Sequence, residues 1–198
     1  MKYMSHVEIR NMWFRFFESH GHKKVESASL VPVNDDSLLW INAGVTPLKK
    51  YFDGREVPEC RRIVNIQKCL RTNDIENVGL TKRHQTFFEM MGNFSVGDYF
   101  KKEAIEFAYE LLTGDEWFQI PKDLIYVTYY PEDHEARDKW IEMGLDESHL
   151  VPLEENFWEI GEGPCGPDTE MFYDRGEKYD PQGLSLIHIS EPTRHLRI

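Results

Sequence analysis

Residues 69–100, CLRTNDIENVGLTKRHQTFFEMMGNFSVGDYF, decide the fold of this chain, because they join two strand-like stretches through a polar loop. The apolar, β-branched run at residues 63–66 leads into this stretch, and Arg71 follows at its end. The loop contains several turn-forming residues before the chain enters an aromatic run. This order predicts a β-hairpin whose second strand carries four candidate ligand-binding residues: Arg83, His84, Phe87 and Phe88.

The predicted hairpin brings together side chains that can hold an anion beside a flat ring. Arg71 offers a planar fork of donors that fits a phosphate, and the basic run at residues 82–84 adds further donors across the loop. Phe87 and Phe88 would point to opposite faces of a strand, so we expect one in the core and the other free to stack on a ring.

Charge is distributed unevenly along the chain. The formal net charge is −12, with 35 acidic against 23 basic residues, which argues against a protein that coats nucleic acid. Residues 59–84 nevertheless carry net +3, whereas residues 131–180 carry net −12. An anion would meet a favourable field only near the hairpin. The alternatives are that both segments are solvated faces and that Arg71 merely pairs with Asp74 or Glu76; the residues alone leave these alternatives open.

Composition predicts an ordinary globular domain in a reducing compartment. The chain has 198 residues, of which 40% are hydrophobic and 13% aromatic, enough to form a core. The three cysteines lack CxxC spacing and predict neither a disulfide framework nor a self-contained zinc site. No apolar run approaches the length that a bilayer needs. We therefore expect a cytoplasmic protein that does not enter a membrane.

The rest of the chain predicts a mixture of helices and strands. Ser5 and Glu8 form a capping box at the start of a first helix, which Gly21 ends. Helices are also predicted at residues 46–52, 101–113 and 133–143; strands are predicted at 25–33, 37–44, 62–67, 124–130, 156–161 and 170–176, with a turn at 34–36. Because the helices do not alternate strictly with the strands, this pattern favours an α+β fold with an antiparallel sheet.

Three other kinds of site find little support. Gly161, Gly163 and Gly166 have GxGxxG spacing, but prolines stand where the helix of a dinucleotide site should begin, so we expect residues 161–169 to form a shaped loop beside a pocket. The histidines form no HExxH pattern, which argues against a catalytic zinc. The absence of a GxSxG elbow argues against a Ser-His-Asp hydrolase.

Three long runs together resemble the amino-terminal catalytic region of bacterial alanyl-tRNA synthetases, which are class II aminoacyl-tRNA synthetases. The runs are SLVPVNDDSLLWINAGVTPLKKYF, RTNDIENVGLTKRHQTFFEMMGNFSVGDYF and NFWEIGEGPCGPDTEMFYDRG, and the resemblance covers residues 4–183 in order. It implies the antiparallel sheet of that class, flanked by helices. The first helix and the strand ending at Pro32 would be motif 1, and the hairpin would be motif 2.

The end of the chain departs from this pattern. Residues 184–194, LSLIHISEPTR, resemble the translation of a transposon-type sequencing adapter. We therefore expect residues 1–183 to be a partial, truncated class II catalytic domain and residues 184–198 to be a non-native tail. Motif 3 and a zinc-binding editing domain would then lie beyond Gly183.

The resemblance also implies a role for each candidate residue. Arg71 would be catalytic, gripping the α-phosphate of ATP and the carboxylate of the amino acid. Four residues would hold adenine and the triphosphate, namely Arg83, His84, Phe87 and Phe88, while Met90 and Trp158 would line a small alanine pocket. The loop at residues 72–82 would face the acceptor end of tRNA(Ala). Which phenylalanine stacks on adenine stays open.

The implied function is ATP-dependent activation of alanine and its transfer to tRNA(Ala), with little or no activity in this chain alone. ATP with Mg²⁺ would be the cofactor, zinc is expected only in downstream domains, and the full-length protein is a possible homo-oligomer. Asn73 stands where the class pattern often has an acid, and Asp168 receives no role. The alternatives are a non-catalytic, synthetase-like nucleotide- or RNA-binding module and an interaction domain that uses the acidic face at 131–180.

Overall fold

The computed structural model describes residues 3–33, 38–73, 75–81, 84–159 and 165–175. The chain divides into two compact units, one comprising Met4–Tyr99 and the other beginning at Phe100. Among the described residues, the helices are all too short or too polar to cross a membrane.

The first unit begins with helix α1, His6–Ser19. The predicted capping box is confirmed, since the Ser5 hydroxyl accepts the Glu8 N–H and the Glu8 carboxylate accepts the Ser5 N–H. The helix stops before Gly21, which has a φ of +79° that glycine adopts easily. Three aromatic side chains on one side of the helix are buried: Trp13, Phe16 and Phe17.

A three-stranded sheet forms the centre of this unit. Strand β1, Lys23–Lys24, pairs in parallel with β2, Arg62–Leu70, and β2 pairs antiparallel with β3, Phe87–Ser95. The predicted hairpin is therefore confirmed, with Leu70 opposite Phe87.

The start of β3 differs from the prediction, because His84 lies in the loop and not on the strand. The Thr81 hydroxyl accepts the His84 N–H at 3.2 Å and lies 2.6 Å from its ring Nδ1. Such local side-chain bonds compete with the hydrogen bonds of a sheet. Arg83, the other residue predicted on this part of the strand, lies outside the described residues.

The strands predicted at residues 25–33 and 37–44 are wrong, since the described parts of both segments are irregular. Their hydrogen bonds go to single backbone groups and to side chains, and do not form a ladder. The Ser27 hydroxyl accepts the Lys68 N–H at 3.0 Å, and the Gln67 side-chain amide exchanges two hydrogen bonds with the backbone of Ala28. The turn predicted at residues 34–36 lies outside the described residues.

The helix predicted at residues 46–52 and the strand predicted at 62–67 are confirmed. A 3-10 turn at Thr46–Leu48 continues into helix α2, Lys49–Phe52, with Pro47 in the first turn as expected. The strand predicted at residues 62–67 is β2, which extends to Leu70.

The second unit consists of short helices and strands. Helices α3 and α4 are Lys101–Thr113 and His134–Glu142; the strands are β4, Ile125–Tyr129, β5, Leu150–Pro152, β6, Phe157–Glu159, β7, Cys165–Pro167, and β8, Thr169–Tyr173. Strand β4 is central, pairing in parallel with β5 and antiparallel with β8. Its side chains Ile125 and Val127 join Trp140 of α4 in the buried core of this unit.

Most elements of the second unit were predicted, and the antiparallel pairs flanked by helices confirm the α+β class. There are two exceptions: strand β5 was not predicted, and within the stretch at 161–169 strand β7 forms an antiparallel pair with β6 in place of the expected loop. Gly166 of β7 lies opposite Trp158 of β6, so the predicted loop is wrong over residues 165–167. Residues 161–164 lie outside the described part of the chain.

Candidate functional site on the hairpin

One face of the hairpin collects most of the candidate residues. Directly opposed residues of antiparallel strands share a face, and side chains alternate along each strand. Phe88 lies opposite Cys69 and Met90 lies opposite Gln67. Arg71 comes two residues after Cys69 and its N–H still donates to Thr86, so its side chain continues the same row. We call this side of the hairpin the Arg71 face.

The Arg71 side chain is held at one end and open at the other. Its Nε donates to the Asn42 carbonyl at 3.0 Å, and its guanidinium carbon lies 5.1 Å from the centre of the Phe88 ring. Among the described residues, Glu76 included, no carboxylate pairs with this guanidinium; Asp74 lies outside them. The two Nη nitrogens therefore offer a fork that fits a phosphate or a carboxylate.

The two phenylalanines point to opposite faces, as predicted. Phe88 is partly buried beside Arg71, whereas Phe87 lies opposite Leu70 on the other face and is 52% exposed. The structure thus associates Phe88 with the arginine. Stacking of either ring on adenine stays a prediction.

Met90 contacts a loop that crosses the Arg71 face. Its Sδ accepts the Gly44 N–H at 3.1 Å, and the side chain is partly buried. Beside it, a Cβ atom on Gly92 would come within 2.6 Å of the Phe94 ring and 2.7 Å of the Asn65 side-chain oxygen. Only glycine fits this position without a shift of its neighbours.

Two buried polar residues on this face were missed by sequence reasoning. Asn65 and Gln67 are each 1% exposed, although they occupy alternate positions in the apolar strand β2. The Asn65 amide donates to the Gly44 carbonyl at 3.2 Å. The available signal was the alternation VNIQ at residues 64–67 of β2, in which polar side chains fall at every second position and thus on one face.

Cys69 lies in the same row as Arg71 but is fully buried. Burial raises the pKa of its thiol to about 11, although the nearby Arg71 opposes this shift. The thiol therefore stays protonated at neutral pH and is not an activated nucleophile.

Trp158 belongs to the second unit, where it is partly buried on β6. Its substrate-binding role stays a prediction. Close to it along the chain, the Asn156 side-chain amide donates to the Asp168 carboxylate at 2.7 Å, and the Asp168 N–H donates to the Asn156 carbonyl. Asp168 is only 8% exposed, so it has a structural role that the sequence did not reveal.

The described residues contain no group of three or more His, Cys, Asp or Glu side chains arranged to hold a metal ion. The expectation that zinc belongs to other domains stays a prediction. On the Arg71 face, the described residues place the Arg71 guanidinium beside the Phe88 ring.

A family model and individual relatives place this chain with the same kind of protein. A family model described as tRNA synthetases class II (A) matches residues 8–192. The chain is 60% identical to the alanine–tRNA ligase of Streptococcus sanguinis over 191 residues. It is 61% identical over the same length to those of Streptococcus gordonii and Lactococcus lactis. Each alignment covers 96% of this chain but only 22% of the relative, so the chain spans about a fifth of the length of these proteins.

Proposed function

The chain belongs to the class II tRNA synthetases, and from this premise we propose that it serves the joining of alanine to tRNA(Ala), with the Arg71 face as its ATP site. Relatives that are 60% identical carry the name alanine–tRNA ligase, which supports alanine as the amino acid. The observation that carries the proposal is the Arg71 side chain, bound through Nε and open at both Nη atoms beside Phe88.

The proposed reaction has two steps. The carboxylate of alanine attacks the α-phosphorus of ATP and expels pyrophosphate, and the terminal ribose hydroxyl of the tRNA then attacks the carbonyl carbon of alanyl-adenylate and releases AMP. Negative charge accumulates on the α-phosphate during the first step. The Arg71 fork would stabilise that charge through two hydrogen bonds and would also orient the carboxylate. ATP would bind together with Mg²⁺, which would supply neutralisation of part of the phosphate charge beside the Arg71 fork.

The other candidate residues complete the proposed site. Arg83, His84 and one of Phe87 and Phe88 would contact the triphosphate and the adenine, with Phe88 favoured because it shares the face of Arg71. Met90 and Trp158 each keep a proposed substrate-binding role toward alanine. A small alanine pocket excludes larger side chains but rejects glycine or serine by a modest factor only.

We also propose that residues 1–183 are part of the class II catalytic domain, carrying motifs 1 and 2, and that residues 184–198 are not native. The same proposal includes a cytoplasmic location, a homo-oligomeric full-length protein and zinc confined to other domains. Resequencing of the gene across Gly183 tests the boundary. Recovery of the codons for the same fifteen residues from genomic DNA would contradict it.

The ATP site is tested by calorimetric titration of the 198-residue chain with MgATP. Arg71→Gln removes the charged fork, and we expect binding to weaken by at least about tenfold, since a hydrogen bond to a charged group contributes about 1.5–3 kcal/mol. Arg61→Gln is the matched control, because Arg61 lies at the other end of β2, where it donates to the Gly97 carbonyl. Equal MgATP affinity in the two variants would refute the assignment.

A further inference from the structure

A short segment at residues 41–46, which we call the strap, crosses the Arg71 face and is attached to both strands of the hairpin; it is irregular up to Val45 and ends at the first residue of the 3-10 turn. The Ile41 carbonyl accepts the Leu70 N–H at 2.9 Å, and the Gly44 carbonyl accepts the Asn65 amide at 3.2 Å. The Gly44 N–H in turn donates to Met90 Sδ. The strap is therefore fixed on either side of Asn42.

Asn42 is the residue of the strap that reaches Arg71. Its carbonyl accepts Nε at 3.0 Å, while its own side-chain oxygen accepts the Thr46 hydroxyl at 3.1 Å. These bonds fix the direction of the carbonyl. An arginine side chain has several rotatable bonds, so a fixed acceptor at Nε reduces the entropy that the side chain loses when it binds an anion.

An amide side chain is unusual at a position as deeply buried as that of Asn65. Burying an amide is costly unless its hydrogen bonds are satisfied, and the Asn65 side-chain oxygen has no hydrogen-bond partner among the described residues. Among the described residues, its side chain makes one hydrogen bond, the donation from Nδ2 to the Gly44 carbonyl. The absence of a side chain at Gly92 leaves the space that the amide needs. An apolar residue would pack here without the unsatisfied acceptor, so the bond to the strap explains why an amide occupies this position.

We propose that Asn65 and the strap position Arg71: the Asn65 amide holds the strap, the Asn42 carbonyl holds Nε, and the two Nη atoms are thereby presented to an anion. Asn65 does not touch that anion and is a positioning residue. The identity of the anion as the α-phosphate of ATP rests on the proposed function, whereas the positioning of Arg71 does not.

The proposal is tested with Asn65→Leu, which removes the donor to Gly44 and also the unsatisfied oxygen, so that much of the fold's stability is retained. Thr46→Val is a second variant, nearly the same in shape, that loosens the strap through Asn42. Asn93→Leu is the matched control, because this asparagine lies on the opposite face of the same hairpin, where it interacts with Tyr99. Circular dichroism establishes that each variant is folded.

Two quantities are measured on the 198-residue chain. The first is the hydrogen-exchange rate of the Arg71 Nε–H, followed by NMR, which reports the bond to Asn42 directly. The second is the MgATP dissociation constant. We expect Asn65→Leu to speed the exchange and to weaken MgATP binding by about tenfold each, with smaller effects of the same sign in Thr46→Val. Asn93→Leu is expected to change neither quantity.

The outcomes separate this inference from the proposed function. If the parent chain fails to bind MgATP while exchange at Arg71 is still accelerated in Asn65→Leu and Thr46→Val, the ATP site is refuted and the positioning role stands. If exchange at Arg71 is unchanged in both folded variants, the positioning role is overturned whatever the ATP affinity. Should Asn65→Leu fail to fold, Thr46→Val alone decides, by the same criterion.

Discussion

His22 is a buried histidine outside the proposed site, in the same unit. It is 4% exposed, its Nδ1 lies 3.0 Å from the Phe17 carbonyl, and its Nε2 lies 2.8 Å from the Tyr99 hydroxyl. These distances fit a neutral ring that donates from Nδ1 and accepts the Tyr99 hydroxyl at Nε2. Burial lowers the pKa of this imidazole from 6.5 to about 4, with a smaller contribution from the positive charge of Arg62.

The lowered pKa predicts how stability depends on pH. Between pH 6.5 and 4 the unfolded chain binds a proton at His22 that the folded chain does not, so acidification favours unfolding. The contribution of His22 is fully present above pH 6.5 and falls through this window by up to about 3 kcal/mol. Urea unfolding at pH 7 and pH 4.5 measures the difference. His22→Gln should lose less stability on acidification than the parent chain; an equally steep loss in both would contradict the prediction.

Within the hairpin, close packing between the strands fixes the shape of the Arg71 face. Gly92→Ala would place a methyl group 2.6 Å from the Phe94 ring and 2.7 Å from the Asn65 oxygen. We expect it to reduce the free energy of unfolding by about 1–3 kcal/mol, the usual cost of overpacking. Gly44→Ala is the control, because a methyl group there would meet Met90 and Phe94 at an ordinary distance of 3.5 Å. Similar urea midpoints for the two variants would rule out this account of Gly92.

Sequence signals within a few residues predicted the helix ends, because local contacts determine where a helix begins and ends. The capping box of α1 and the glycines after α1 and α4 lie within a few residues of the helix ends that they define. The irregular segment at 25–33 could not be predicted in this way, because its hydrogen bonds go to the distant residues Gln67 and Lys68. Strand β7 was missed for the same reason, since it exists only through pairing with β6.

The candidate site was predictable to a similar extent. Alternation along a strand placed Phe87 and Phe88 on opposite faces, but the choice of Phe88 as the neighbour of Arg71 depends on the register of the hairpin. That register follows from the loop between the strands, whose conformation the residue pattern does not specify. The role of the strap depends on contacts between residues more than twenty positions apart, such as Gly44 and Asn65. Local sequence patterns therefore could not predict it.

For the molecule as a whole, we expect binding without efficient turnover. The alanine–tRNA ligases that resemble this chain are much longer, since it spans 22% of their length, so most of their residues have no counterpart in it. Alanine-dependent exchange between ATP and pyrophosphate should therefore be close to background with the 198-residue chain. The full-length ligase of a relative serves as the positive control, and robust exchange by the chain alone would contradict the expectation.

Cys69 makes the opening of the hairpin measurable. Its thiol is fully buried, so an alkylating reagent can reach it only when the hairpin or the strap opens, whereas Cys165 is exposed and Cys60 partly exposed, and both should react faster. The labelling rate of Cys69 relative to that of an unfolded peptide thus gives the free energy of local opening. A nucleotide bound at Arg71 and Phe88 should slow this labelling in proportion to its saturation, so the Cys69 thiol reports both local opening of the hairpin and occupancy of the proposed site.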